Sequence, residues 1–141
     1  MRIVRSVVEM QREAERLRLA GNTIALVPTM GYLHHGHVSL IEHAKRNSDV
    51  VILSVFVNPT QFGPGEDFEK YPRDPARDER IAVEAGVDIV FEPDASEMYP
   101  GDFRTYVDEQ EVSHILEGKI RPSHFRGVTT VVAKLFNICR P

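Results

Sequence analysis

The sequence predicts an α/β fold, a parallel β-sheet with helices on both faces. Three observations predict it. Short apolar runs alternate with longer stretches whose apolar residues recur at helical spacing. One run, "DVVILSVFVNP", is almost continuously apolar and β-branched, as a strand covered on both faces should be. The two stretches richest in chemistry, "VPTMGYLHHGHVSL" and "NPTQFGPG", each follow an apolar run. Ligands in such folds sit at the carboxyl ends of the strands, so both stretches are placed on one rim.

The elements follow in order. Ser6 followed by Glu9 is a capping-box pattern. After it Val7, Met10, Ala14 and Leu17 mark a helix that Gly21 can end. "TIALVPT", between Asn22 and Pro28, reads as a buried strand, and "HVSLIEHAKRN" as a helix with Val38, Ile41 and Ala44 inward. "DVVILSVFVNP" is the next strand. The Gly- and Pro-rich "TQFGPGEDFEKYPRDP" is a long connection of the kind that carries function. Its acidic run, Glu66 to Glu69, reads as solvated loop. Asp74 and Pro75 start a helix that Gly86 ends, and "VDIVFEP" is a short strand. "FRTYVDEQE" reads as a strand near an edge and "VSHILEG" as a short helix. "GVTTVVAKLFNICRP" is β-branched, which favours a strand. Its apolar positions nevertheless follow a three-four rhythm, and the period predicts a helix. The expected order is a helix, then repeated strand–helix units with right-handed crossovers. A further strand is expected after "RP", so the sheet is read as truncated before its last strand.

Composition narrows the function. The chain has 141 residues, 42% of them hydrophobic, enough for one domain with a real core. No run approaches a membrane span, and the charged N-terminus does not suit a secretory signal. No membrane association and a cytoplasmic location are expected. The net charge of −4 argues against nucleic-acid binding, which needs clustered Lys and Arg. Cys139 is the single cysteine and reads as a small buried hydrophobe.

Three of the six histidines fall within four residues around Gly36. A strand-to-helix turn exposes backbone amides, and the helix dipole favours anions there. His34 and His37, three apart, can face one direction and donate to phosphate oxygens. Two other readings stand beside this one. A metal site needs three or four convergent ligands, and no nearby Cys or HExxH pattern accompanies these histidines. A polar turn without any ligand is the other.

Four blocks together carry a resemblance: "PTMGYLHHGHVSLI", "FVNPTQFGPGEDFEKYPRD", "GVDIVFEP…EMYP" and "RPSHFRGVTTVVAKLFNICRP", in that order. They resemble the pantothenate synthetase (pantoate–β-alanine ligase) family of the HxGH nucleotidyltransferases, over nearly the whole chain. The resemblance implies a Rossmann-like domain and ATP-dependent ligation of pantoate to β-alanine. The intermediate would be a pantoyl-adenylate, and AMP and pyrophosphate the by-products. It implies ATP as a substrate with Mg2+ on its phosphates, no tightly bound cofactor and no resident metal, and a homodimer.

By that resemblance Met30, Gly31, Tyr32, Leu33, His34, His35, Gly36 and His37 cradle ATP. His34 and His37 are the catalytic pair, and His35 faces solvent. Gln61 holds pantoate and meets β-alanine; an amide can both donate and accept. Met30, Asn58, Tyr71, Val131 and Val132 complete the pantoate site, Asn58 either by contact or by bracing its turn. Tyr71 and the two valines are equally readable as packing residues. Arg121 and His124 are candidate anion contacts, with a surface salt bridge as the plainer role for Arg121. Tyr32 and His35 stand where the family often has smaller or acidic residues. Family members are about twice as long and continue with FGxKDxQ and MSSRN segments and a C-terminal domain, none of which occurs here. Residues 1–141 are therefore expected to be an incomplete N-terminal nucleotide-binding domain with little activity alone. Another HxGH nucleotidyltransferase, a non-catalytic binding fragment and a metal-binding protein are the competing readings.

Overall fold

Four short apolar segments build one parallel sheet in the computed structural model, which describes residues 1–63, 65–66 and 68–141. The strands are β1 (Arg2–Val4), β2 (Ile24–Thr29), β3 (Val50–Val55) and β4 (Ile89–Phe91), in the order β1-β4-β3-β2. Every adjacent pair is parallel. The register sets Ile52 between Leu26 and Ile89, and Leu53 between Val27 and Val90. Successive side chains point to opposite faces, so these two rows serve two different cores. Ile52 and Ile89 pack with Met10, Leu17, Val131 and Leu135. Leu53, Val27 and Val90 pack with Ile41, Ala44 and Ala82.

The helices covering the first face are α1 (Val7–Leu19) and α6 (His124–Cys139). Those covering the second are α2 (His35–Asn47) and α3 (Pro75–Glu84). The three-layer arrangement is the predicted one. Two short helices, α4 (Ala95–Met98) and α5 (Glu117–Ile120), lie in the connection between β4 and α6. At the start of α3, Asp74 caps the helix by accepting from the Arg77 amide at 3.1 Å, with Pro75 in the first turn. Among the described residues no helix is long and apolar enough to cross a membrane.

Helix α6 settles the conflict between period and propensity. Thr130 donates its hydroxyl to the Arg126 carbonyl and Thr129 its own to the Val107 carbonyl, both at 2.6 Å, so neither is left unsatisfied in the helix. Burial of Val131, Leu135, Ile138 and Cys139 along one stripe then outweighs the β-preference of the run. Cys139 is fully buried, and burial pushes its thiol up to about 12, consistent with an inert packing residue.

Four expectations fail locally. The sheet begins with β1, three residues too short to leave a periodic signal, so the chain opens on a strand and not a helix. Ser6 stands at the N-cap of α1 without a capping bond from its side chain. The Glu97 carboxylate takes the Val7 amide at 2.8 Å, and Glu9 pairs with Arg2 at 2.6 Å. "FRTYVDEQE" is not a strand. Its Val107 is held by helix side chains, the amide donating to Thr130 Oγ1 at 3.0 Å and the carbonyl accepting from Thr129 Oγ1 at 2.6 Å. "VSHILEG" is split into a 3₁₀ turn at Val112–His114 and α5, because Leu116 between them adopts a left-handed φ of 50°. Asp67 of the acidic run and Pro64 of "FGPG" lie outside the described residues.

Candidate active site

The signature turn leaves β2 through a strained corner. Thr29 ends the strand with its hydroxyl donating to the Ser54 carbonyl at 2.7 Å and accepting from the Gly31 amide at 3.2 Å. Gly31 and Tyr32 then take consecutive positive φ values, 81° and 52°. A Cβ on Gly31 would also come within 3.0 Å of Asp78 Oδ2 and 3.1 Å of Val55 Cγ1, so glycine is needed there twice over. For Tyr32 the left-handed conformation costs about 1–2 kcal/mol. Two charge-assisted hydrogen bonds offset it. Asp78, buried on α3, accepts from the Tyr32 and Leu33 amides, both at 2.7 Å. The exposed Tyr32 ring carries the Arg77 guanidinium 5.2 Å from its centroid.

The turn delivers His34 to the N-cap of α2. His34 Nδ1 accepts from the Gly36 amide at 3.1 Å, and His37 Nδ1 accepts from the His34 amide at 3.3 Å, a reciprocal capping box built from two imidazoles. Gly36 permits this, since a Cβ there would lie 2.9 Å from the His34 ring. The rings sit 4.1 Å apart at 40°. A nitrogen that accepts an amide proton cannot carry one, so each neutral imidazole bears its proton on Nε2. Burial, with His34 beside it, holds His37 below its ordinary value, while the Asp78 carboxylate pulls the other way. His37 is thus a neutral Nε2–H donor at physiological pH.

The second rim follows β3. Asn58 is 1% exposed and caps the 3₁₀ turn Pro59–Gln61. Its Oδ1 accepts from Tyr99 OH at 2.7 Å and from Thr60 Oγ1 at 2.9 Å. Its Nδ2 donates to Gln61 Oε1 and to the Gly127 carbonyl, both at 3.1 Å. This amide is spent on bracing the turn. It also fixes Gln61, whose oxygen is taken and whose Nε2 is left as the donor, 3.4 Å from Met30 Sδ.

Helix α6 closes the third side. His37, Met30, Asn58, Gln61, Tyr71, Val131 and Val132 all line one cleft of about 280 Å³, with Thr29, Phe56 and Leu135. Burial, with Asp78 nearby, raises the Tyr71 hydroxyl. The two valines serve both as cleft wall and as core. A hollow of about 230 Å³ lies across Met30 among Phe56, Arg73, Asp74 and Asp78, but it contains neither imidazole nor Gln61. Among the described residues no three His, Cys, Asp or Glu side chains converge as a metal site.

Several predicted contacts take other places. Leu33 is fully buried in the core with its amide on Asp78, so neither its side chain nor its N–H is presented to a nucleotide. The amides of Gly31, Tyr32, Leu33, His34 and Gly36 are all engaged within the chain, so these five are not the free backbone donors expected of the turn, and its imidazoles add N–H donors of their own. His34 and the exposed His35 border a groove between α2 and α3. Arg121 and His124, expected as anion contacts, clamp the Gln61 turn from α6 and the residues before it. His124 Nδ1 donates to the Gln61 carbonyl at 2.9 Å, and Arg121 Nη2 to the same oxygen at 3.2 Å.

Arg121 also grips Glu66 with two nitrogens, Nη2 to Oε2 at 2.7 Å and Nε to Oε1, so Glu66 is not a solvated loop residue. The guanidinium, helped by the Gly63 amide, holds the Glu66 carboxyl at about 2 against an ordinary 4.5. A depressed carboxyl lends stability above its unfolded value and loses it as pH falls through the folded one. Glu66→Gln should therefore lower the unfolding temperature near neutrality. The gap from the unmutated chain should start to shrink below about pH 4.5 and close near pH 2 in a thermal unfolding series. A gap of constant size across that range would contradict the clamp.

Sequence reasoning missed Asp78, Tyr99 and Gly127. Asp78 and Tyr99 carry no local signal, because their partners lie 46 and 41 residues away. Gly127 was detectable as a glycine at the head of an otherwise bulky helix, which suggests close backbone approach.

Residues 2–141 match the family model described as pantoate-beta-alanine ligase. The chain is 57% identical to the pantothenate synthetase of Geobacter sulfurreducens over 141 residues, which is 100% of this chain and 50% of that one. It is 55% identical to that of Thermotoga neapolitana with the same coverage. The crystal structure of pantothenate synthetase from Thermus thermophilus superposes with a TM-score of 0.92 at 49% identity, covering 100% of this chain and 50% of that one. The Francisella tularensis pantoate-beta-alanine ligase, solved with beta-gamma ATP and beta-alanine, superposes with a TM-score of 0.92 at 42% identity, covering 100% of this chain and 54% of that one. The chain spans about half the length of the curated relatives it matches.

Proposed function

The chain belongs to the pantoate-beta-alanine ligase family, and on that premise we propose that residues 1–141 form the nucleotide-binding domain of an enzyme joining pantoate to β-alanine with ATP. The observation that carries this reading is the meeting of His37 and Gln61, from two different strand ends, in one cleft with their donors already oriented.

A carboxylate is a poor electrophile until it carries a good leaving group. Its oxygen would attack the α-phosphorus of ATP, the bond to the β-phosphate oxygen would break, and pyrophosphate would depart. The β-alanine amine would then attack the acyl carbon and release AMP. The protein's part is alignment and charge stabilisation. His37 and His34 would direct Nε2–H toward the phosphates, and a neutral donor of this kind stabilises growing negative charge without giving up its proton. Gln61 Nε2 would donate to oxygen atoms of pantoate, and in the second step would lie beside β-alanine. Met30, Val131 and Val132 would offer an apolar wall to the pantoate methyl groups, with Tyr71 lining the same cleft. Asn58 would act through Gln61. Mg2+ would arrive with ATP as part of the substrate. We place the reaction in the cytoplasm, in a homodimer. Support for a second copy comes from Val112, Leu116 and Ile120, apolar yet 67%, 81% and 78% exposed.

The test is pantoate-dependent ATP–pyrophosphate exchange, with AMP release requiring β-alanine as well. Exchange that ignores pantoate, or AMP release without β-alanine, points to a different nucleotidyltransferase. The chain by itself should bind ATP and pantoate with little turnover. If it binds neither, the assignment of the cleft fails.

A further inference from the structure

We infer that Asp78 is a positioning residue for the imidazole pair: its carboxylate fills the anion-binding hollow formed by the Tyr32 and Leu33 amides and so locks the turn that aims His34 and His37. The inference rests on the ligase reading only for the identity of the nucleotide.

Successive backbone N–H groups in a tight turn can point toward a common centre, and such hollows bind anions. Gly31 and Tyr32 build one at the end of β2. In a phosphate-binding loop the hollow would take the ligand. Here it is occupied from within, by a carboxylate that is 5% exposed and belongs to α3, a helix in a different layer. Both oxygens are used, one per amide, each at 2.7 Å. The fit is tight enough that a methyl group on Gly31 would touch Oδ2 at 3.0 Å. His34 follows Leu33 directly, and its amide holds His37 Nδ1. Displacing the Tyr32–Leu33 amides would therefore break the bond that fixes the His37 ring and its tautomer.

A division of labour results. The internal anion holds the backbone, and the substrate's phosphates are left to the Nε2–H groups. The carboxylate's charge reaches the cleft as well. It acts on His37 against burial and the neighbouring His34, and on Tyr71. Asparagine is nearly isosteric but has one acceptor and no charge, so it would set an NH2 group against one of the two amides.

The experiment compares the unmutated chain with Asp78→Asn and with Asp78→Asn combined with Tyr32→Gly. Imidazole 15N NMR reads the tautomers and the His37 titration, and ATP serves as the binding probe. In Asp78→Asn the fixed Nε2–H tautomers should give way to a mixture, the His37 midpoint should fall, and ATP affinity should drop tenfold or more. Glycine at 32 removes the left-handed penalty, so the double variant should regain the tautomer pattern while the His37 midpoint stays low. A folded Asp78→Asn chain with unchanged tautomers and midpoint would overturn the inference. If that variant does not fold, amide exchange in the unmutated chain decides. Tyr32 and Leu33 amides protected like those of β3 support it, and exchange as fast as in open loops refutes it. These readouts need no nucleotide. Intact tautomer behaviour in a chain that does not bind ATP would count against the ligase reading and leave the role of Asp78 standing.

Discussion

Replacing His37 with alanine is expected to lower pantoate-dependent ATP–pyrophosphate exchange about 100- to 1,000-fold, the range seen when one preorganised donor to developing charge is lost. The measurement belongs on a chain of family length containing this segment. On the chain as it stands, the same change should weaken ATP binding about tenfold, or about 1.4 kcal/mol. His37→Gln retains an N–H donor without a titrating ring and should recover part of the loss. Stability should change little, because His37 is only half-buried and its Nδ1 contact is a single long one, 3.3 Å. The pH profile separates two roles. Since burial holds His37 below its ordinary value, the neutral ring dominates at neutrality, and exchange should be flat through about pH 7 to 8. A rate that climbs as pH falls through that range would mean that imidazolium delivers a proton, and the neutral-donor role would be wrong.

Gly127→Ala should be the most damaging single methyl group around the cleft. Helix propensity alone favours alanine over glycine by about 1 kcal/mol. Here the added carbon would overlap the Thr60 carbonyl oxygen and lie 2.5 Å from its carbon and 2.6 Å from the Gln61 Cα. All three are backbone atoms and cannot rotate away. Helix α6 must lift off the Pro59–Gln61 turn, and the Asn58–Gly127 bond goes with it. A net destabilisation of about 3 kcal/mol is expected, read as a lower urea midpoint. Pantoate binding should be lost with it, since Gln61 and the Val131–Val132 wall line one cleft and α6 rests on the Gln61 turn at this contact. An alanine variant as stable as the parent would show that α6 does not rest on the turn.

Most of the architecture was legible because it is written locally. Continuous β-branched burial marks β3, Asp74 and Pro75 mark the start of α3, and a three-four rhythm marks α6 against its own propensity. What escaped was short or satisfied from a distance. Strand β1 has three residues, too few for any period. Residues 103–111 have a strand's composition, but Val107 bonds to two threonines of α6. The motif histidines and Gln61 could be named from spacing and family likeness. Their direction could not, because Asp78, Asn58 and Tyr99 supply it from elsewhere in the chain.

The sequence by itself determined the layers, the placing of two motifs on one rim and the pairing of His34 with His37, since each follows from periodicities and spacings within a single segment. Only the tertiary structure decided that an aspartate on α3 fills the turn's anion hollow, that Asn58 braces where it could have bound, and that Arg121 holds Glu66. The reason is physical. A helix or strand is selected by neighbours a few residues apart, whereas a buried carboxylate or amide is satisfied by whichever donors the packed layers bring within hydrogen-bond range.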